Sequence, residues 1–253
     1  MSKPVFGVRC SAKRRALLGI LCVALAVMVM FLGCGGDDNP GKSNNNNGQS
    51  NSGSHFNPNI NYDSFTDSRD NKSYRTVVIG TQTWMAENLN FNANGSICYD
   101  NNSSNCNRYG RLYSWAAAMG FELNCNSRSC ESEVQDEHRG VCPEGWHIPS
   151  HAEWTTLADY ANSIVGTRLK STSGWNTGGY YIPGTDDFGF SALPGGYAWE
   201  GDFKDVGTFG GWWSATEDAA SRAFDQNMYY NGNNLGGGGN AKITQQSLRC
   251  IKD

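Results

Sequence analysis

Six cysteines, Cys98, Cys106, Cys125, Cys130, Cys142 and Cys250, constrain this chain more than any other feature. Their even number matters because of what precedes them. Lys13, Arg14 and Arg15 introduce an apolar run from Ala16 to Leu32, followed at once by Gly33-Cys34, which is the order of a secretory signal. The exported remainder meets an oxidising compartment, where paired cysteines become disulfides. Of the nine cysteines, Cys10 and Cys22 lie within the signal and Cys34 at its end, which leaves the six. Many connectivities are open to six cysteines. Their spacing suggests two local bridges, Cys98–Cys106 and Cys125–Cys130, and a long one, Cys142–Cys250. A zinc site is the alternative, but no Cys-x-x-Cys pair is present.

Phe31-Leu32-Gly33-Cys34 resembles the bacterial lipoprotein box, with Phe31 in place of the usual Leu, Val or Ile and Leu32 in place of a small residue. That resemblance implies a signal peptide over 1–33, lipidation (palmitate) at Cys34 and a lipid anchor in the cell envelope. Asp37-Asp38 just after Cys34 resembles the acidic export tags of some surface lipoproteins, so the anchor is expected at the outer membrane and facing outward. The alternative is an uncleaved single-span anchor. Residues 34–61 are Gly, Asp, Asn and Ser with almost nothing apolar, and read as a flexible tether. The signal takes five basic residues and no acidic ones with it, so 15 Lys and Arg face 24 Asp and Glu, a net charge of −9. Such a chain is a poor partner for nucleic acid or anionic membrane surfaces.

Residues 62–253 are long enough for one domain with its own core. Tyr74–Ile79 is rich in β-branched residues and, with Gln82–Met85, predicts a hairpin turning at Gly80. Tyr109–Met119 carries Leu112, Trp115 and Ala116 at helical spacing. A clearer helix starts at Ser150, where Ser150-His151-Ala152-Glu153 matches a capping box after Pro149, and Gly166 is expected to end it. Ser171–Gly211 is aromatic, glycine-rich and irregular, which inside a compact domain suggests a functional loop. Three strands, Trp212–Thr216, Ala223–Tyr230 and Lys242–Lys252, are predicted to close the chain, with Gly236–Gly239 in the loop between the last two. The fold class expected is α+β: two short helices, mixed or antiparallel strands and a long irregular loop region, stapled by disulfides.

Gly80-Thr81-Gln82-Thr83-Trp84-Met85-Ala86-Glu87-Asn88-Leu89, Tyr109-Gly110-Arg111-Leu112-Tyr113-Ser114-Trp115 and Cys142-Pro143-Glu144-Gly145-Trp146-His147-Ile148-Pro149-Ser150 form an ordered series. Gly189–Gly196, Trp212–Glu217 and Ser247-Leu248-Arg249-Cys250-Ile251-Lys252-Asp253 continue it. Together they resemble the Fibrobacter succinogenes major paralogous domain, carried by bacterial exported proteins and lipoproteins. The ending is similar to the C-type-lectin-like fold shared with formylglycine-generating enzymes and surface adhesins. That likeness implies a cysteine near a helix paired with one on the last strand, consistent with Cys142–Cys250, and ligand binding in a long loop region at about 171–211.

In the lectin-like reading Trp212 and Trp213 occupy a central strand and point to opposite faces, so they cannot form one sugar platform. The candidate ligand-binding residues are instead the loop aromatics Trp175, Tyr180, Tyr181, Tyr197 and Trp199. Flat rings with nearby amides and carboxylates suit the apolar faces and hydroxyl edges of sugars. Asp186, Asp187, Glu200, Asp202 and Asp205 are the candidate oxygen ligands for calcium, without EF-hand spacing. His55, His138, His147 and His151 form no metal or catalytic pattern, and no Gly-x-Ser-x-Gly elbow is present. The expectation is a surface lipoprotein that binds extracellular polysaccharide without catalysis or an obligatory cofactor or metal. The alternatives are a structural or protein-binding envelope component and an enzyme on a formylglycine-generating-enzyme-like fold, which would need free cysteines.

Overall fold

Ten strands and four short helices make up the described residues, 54–253, of the computed structural model. The expected signal, the expected lipidation position Cys34 and the expected tether up to residue 53 lie outside them. The predicted hairpin forms as β2 (Ser73–Ile79) and β3 (Gln82–Met85), joined at Gly80, whose φ of +63° a turn this tight requires. Along β2, Tyr74 and Thr76 are buried on one face and Val77 and Ile79 on the other, while Arg75 and Val78 face solvent. Tyr74 belongs to one core cluster, and Val77 and Ile79 to another. With β1 (Asp63–Thr66), β4 (Trp146–His147) and β10 (Ile251–Lys252), these strands make a five-stranded antiparallel sheet of order β1-β2-β3-β10-β4. The beginning and end of the domain therefore share one sheet.

The helices are short because their signals are short. The predicted Tyr109–Met119 helix is instead two, α1 (Ser103–Tyr109) and α2 (Trp115–Met119), separated at Gly110, where φ is +76°. Asn102 caps α1 and Ser114 caps α2 through their side-chain oxygens. The capping box at Ser150 forms as read, and α3 (His151–Ala161) follows with Trp154, Leu157 and Ala161 buried. It ends earlier than expected, at Asn162 (φ +61°), and Gly166 lies inside a further helix, α4 (Val165–Leu169).

The loop region 171–211 is largely irregular but holds a small hairpin, β5 (Tyr197–Trp199) and β6 (Asp202–Lys204). A three-stranded antiparallel sheet follows: β7 (Phe209–Ala219), β8 (Arg222–Tyr229) and β9 (Gly236–Ala241). Here two expectations are corrected. The glycine run Gly236–Gly239 is a strand, not a loop, and Lys242–Lys252 is no continuous strand. Close approach requires the glycine at Gly239, where a Cβ would meet Asp218 Cγ at 2.6 Å and Arg222 Nη2 at 2.7 Å. Residues 242–250 instead thread the interior through isolated bridges, Gln245 to Ala198, Gln246 to Tyr113 and Ser247 to Trp212.

β7 divides the core. Trp212 and Trp213 are both fully buried, on opposite faces and in separate clusters. Trp213 packs with Trp115, Cys142 and Cys250, and its Nε1 donates to Tyr113 O at 2.8 Å. Trp212 packs with Trp84, Trp154 and, from the loop region, Phe190. Arg249, fully buried, ties that loop down by donating to Asn88 Oδ1 and to Phe190 O while lying 4.1 Å over the Phe190 ring. Without an acidic partner in contact, burial pulls its pKa down to about 9.

All three expected disulfides form: Cys98–Cys106, Cys125–Cys130 and Cys142–Cys250. The last joins the approach to β4 with the approach to β10. The end of the expected tether differs from the reading. Phe56 and Ile60 pack against the second core cluster, Arg75 lies 4.0 Å over the Phe56 ring, and Asn57 Nδ2 donates to Asp186 O at 3.0 Å. Residues 54–61 thus belong to the folded body, because this stretch carries Phe56 and Ile60, apolar side chains large enough to dock.

Candidate functional site

Paired residues of adjacent strands share a face, so register alone collects one set of side chains. On one face of the β7-β8-β9 sheet stand Phe209 with Tyr229, Gly211 with Asn227, and Asp225 with Gly238. Gly211, Gly236 and Gly238 carry no side chain there, so beyond Trp213, which pairs with Asp225 and is buried in the first core cluster, Asp225, Asn227 and Tyr229 rise from a low floor. The β5–β6 hairpin walls this floor with Tyr197, Trp199, Lys204 and Asp205, and Asn240, Thr244 and Gln246 close it. The result is a cleft of about 350 Å³ lined by aromatic rings, amides and carboxylates.

The polar floor is fastened from below. Asp225, 3 % exposed, accepts from Asn240 Nδ2 and Gln246 Nε2 on one carboxylate oxygen, each at 3.0 Å. Burial pushes its pKa up, and these amide donors hold it back. Tyr197 and Phe209 meet edge to face at 5.4 Å, as do Phe209 and Tyr229 at 5.1 Å, a continuous aromatic wall. Burial, followed by the nearby Asp205 carboxylate, raises the Tyr197 and Tyr229 hydroxyls.

Of the five loop aromatics expected to bind, the structure brings Tyr197 and Trp199 together here. Trp175 is a core residue, 5 % exposed, with Nε1 donating to Ala192 O at 3.0 Å and the Lys170 ammonium 5.4 Å from its ring. Tyr181 packs on the second core cluster, and Tyr180 is 75 % exposed on a turn of its own. The acidic candidates separate as well. Asp186 is fully buried and accepts Ser191 N and Oγ, each at 2.7 Å, and burial pushes its pKa up to about 6. Asp187 pairs with Arg168 at 2.7 Å, Glu200 and Asp202 are exposed on the hairpin, and Asp205 alone lines the cleft. Among the described residues the one His/Cys/Asp/Glu group at metal-binding distances is Cys125, Cys130 and Glu133, whose two cysteines are a disulfide.

Asp225, Asn227 and Tyr229 escaped the sequence reading although their strand was predicted. Their alternation marks one polar face of β8, opposite Phe224, Gln226 and Met228. The signal was present, but choosing that face needed the hairpin above it.

A second cleft, of about 430 Å³, lies beside His138, His147, Glu153 and Glu217. Its buried polar groups are already engaged within the protein, His138 with Met119 O and Glu217 with Lys242. His147, 2 % exposed, joins Asp253 Oδ1 through Nδ1 at 2.8 Å and Glu153 Oε1 through Nε2 at 2.9 Å. Burial opposes charge on this imidazole, but the two carboxylates outweigh it and raise its pKa. Burial likewise opposes the Glu153 carboxylate, yet His147 and the Ser150 donors lower its pKa. The His147 contribution is complete below the unfolded value of 6.5 and disappears as pH rises through the folded pKa. The Glu153 contribution is complete above 4.5 and disappears as pH falls through its folded pKa. The stability lost in His147→Gln, measured by urea unfolding, is therefore expected to be largest between these two values and to shrink on either side. A pH-independent loss would contradict a charged triad.

No curated protein and no solved structure matches the chain. Comparison with known protein families matches residues 77–252, from within β2 to β10, and this span contains both core clusters' central strand, the cleft and all three disulfides. On that match over most of its length, the chain belongs to the Fibrobacter succinogenes major domain family.

Proposed function

We propose that this chain is a lipid-anchored envelope protein whose domain binds extracellular carbohydrate in the cleft framed by Tyr197, Trp199 and Tyr229. One observation carries the reading. The aromatic wall Tyr197–Phe209–Tyr229 lines the same cleft as the amides and carboxylate of Asn227, Asn240, Gln246 and Asp225. A sugar ring has an apolar face that stacks on aromatics and a hydroxyl edge that bonds to amides and carboxylates. About 350 Å³ suits one or two sugar residues rather than a long groove. The reading is non-catalytic, with the six cysteines bonded in pairs and so not offered as free thiols. A C-type-lectin-like arrangement, in which the loop region carries the ligand, agrees with a hairpin wall drawn from residues 197–204.

The test is retention of the full-length chain on insoluble plant and bacterial polysaccharides, with and without EDTA. Tyr197→Ala and Trp199→Ala are each expected to weaken binding by about tenfold or more, a loss of about 1.4 kcal/mol. Trp175→Ala, being a core change, is expected to reduce stability instead. Retention on no polymer, or retention indifferent to Tyr197 and Trp199, would sink the reading and favour a protein partner. Loss of binding in EDTA would return calcium to the site.

A further inference from the structure

The cleft floor holds a carboxylate whose charge no cation among the described residues matches and, beside it, one amide oxygen without a partner. Gln246 is fully buried; its Nε2 is committed to Asp225, and its Oε1 has no partner among the described residues. Asp225 beside it is a buried carboxylate held by amides, with no ion pair among the described residues. Asp205 brings a second carboxylate to the rim, and the one cation in the lining, Lys204, sits exposed on β6. A buried carboxylate without a cation is costly, and an orphaned amide oxygen adjacent to it adds to that cost. A hydroxyl brings one proton to this pair of acceptors. An ammonium brings three protons and the missing charge, and the rings of Tyr197, Trp199 and Tyr229 favour a cation further.

The geometry points to a hexosamine with a free, protonated amine as the ligand class, its ammonium drawn to the Asp225 and Asp205 carboxylates of the cleft and its ring against Tyr197 and Trp199. This assignment rests on the carbohydrate reading above.

Calorimetric titration of the full-length chain with three soluble oligomers of matched length and linkage tests it: glucosamine, N-acetylglucosamine and glucose, at a pH where the free amine is protonated. The glucosamine oligomer is expected to bind about tenfold or more tightly than either of the others. Asp225→Asn is expected to abolish that preference. Asp205→Asn, at an exposed rim position whose positive φ asparagine tolerates, is expected to reduce it even if the Asp225 variant fails to fold. Equal affinity for all three oligomers would overturn the assignment and leave the carbohydrate reading standing. A preference that survives Tyr197→Ala would reflect the chain's overall negative charge and would also overturn it. Binding of none of the three, with capture of a lysine-rich peptide instead, would remove both the assignment and the reading beneath it.

Discussion

Replacing Cys142 and Cys250 together by serine is expected to remove on the order of 4–5 kcal/mol of stability, enough to leave the domain largely unfolded at physiological temperature. The bridge spans 108 residues, so breaking it frees most of the domain in the unfolded state. Its partners are both fully buried in the first core cluster, next to Trp213 and Leu248. The paired sheet ends add to this: β4 and β10 contribute only two residues each and have few hydrogen bonds of their own to hold register. Opening Cys125–Cys130, which closes only five residues, is expected to cost about 2 kcal/mol by the same entropy argument. Urea unfolding of the two double variants measures the contrast. Equal midpoints would show that loop closure is not what the long bridge contributes.

Lys242→Met is expected to cost about 3–5 kcal/mol, because it strands a buried carboxylate. Lys242 is fully buried and Glu217 is 4 % exposed, and their ion pair is 2.8 Å long. The ammonium also donates to Ala220 O at 3.0 Å and Arg128 O at 3.2 Å and lies 4.2 Å over the Trp115 ring. Glu217 in turn accepts the Cys130 backbone N–H at 3.0 Å. Burial raises the Glu217 pKa, but Lys242 and the Ser129 and Cys130 donors bring it below its usual value. With the lysine gone, burial is left opposed only by the weaker donors. Adding Glu217→Gln to Lys242→Met removes the stranded charge and is expected to recover a large part of the loss. Thermal or urea unfolding of the single and double variants checks this. A double variant no more stable than Lys242→Met would mean that packing around the lysine stem, and not charge, carries the effect.

What the sequence revealed depended on whether the cause was local. The Gly80 turn, the capping box at Ser150 and the opposed Trp212 and Trp213 follow from one or two residues and were read correctly. Disulfide pairing succeeded because two of the three loops are short and only one pair then remains. Gly236–Gly239 was misread because glycine weakens a strand locally. Its strand exists through pairing with β8, and at Gly239 the side chains of Asp218 from β7 and Arg222 from β8 leave no room for a Cβ. Trp175 and Tyr197 were equivalent as sequence, two aromatics in one irregular stretch. Only tertiary packing sends the first into the core and the second to the cleft wall. The cleft floor was hidden for the same reason, because it is assembled from β7, β8, β9 and the 242–246 segment, which meet only after folding.

The most direct test of the cleft as the binding site is amide chemical-shift mapping of the protein titrated with a soluble oligosaccharide drawn from whichever polysaccharide retains it. The expected result is one cluster of shifted amides at 197–209, 225–229 and 240–246. A cluster at the Tyr180–Tyr181 turn, or around His147 and Glu153, would contradict the account.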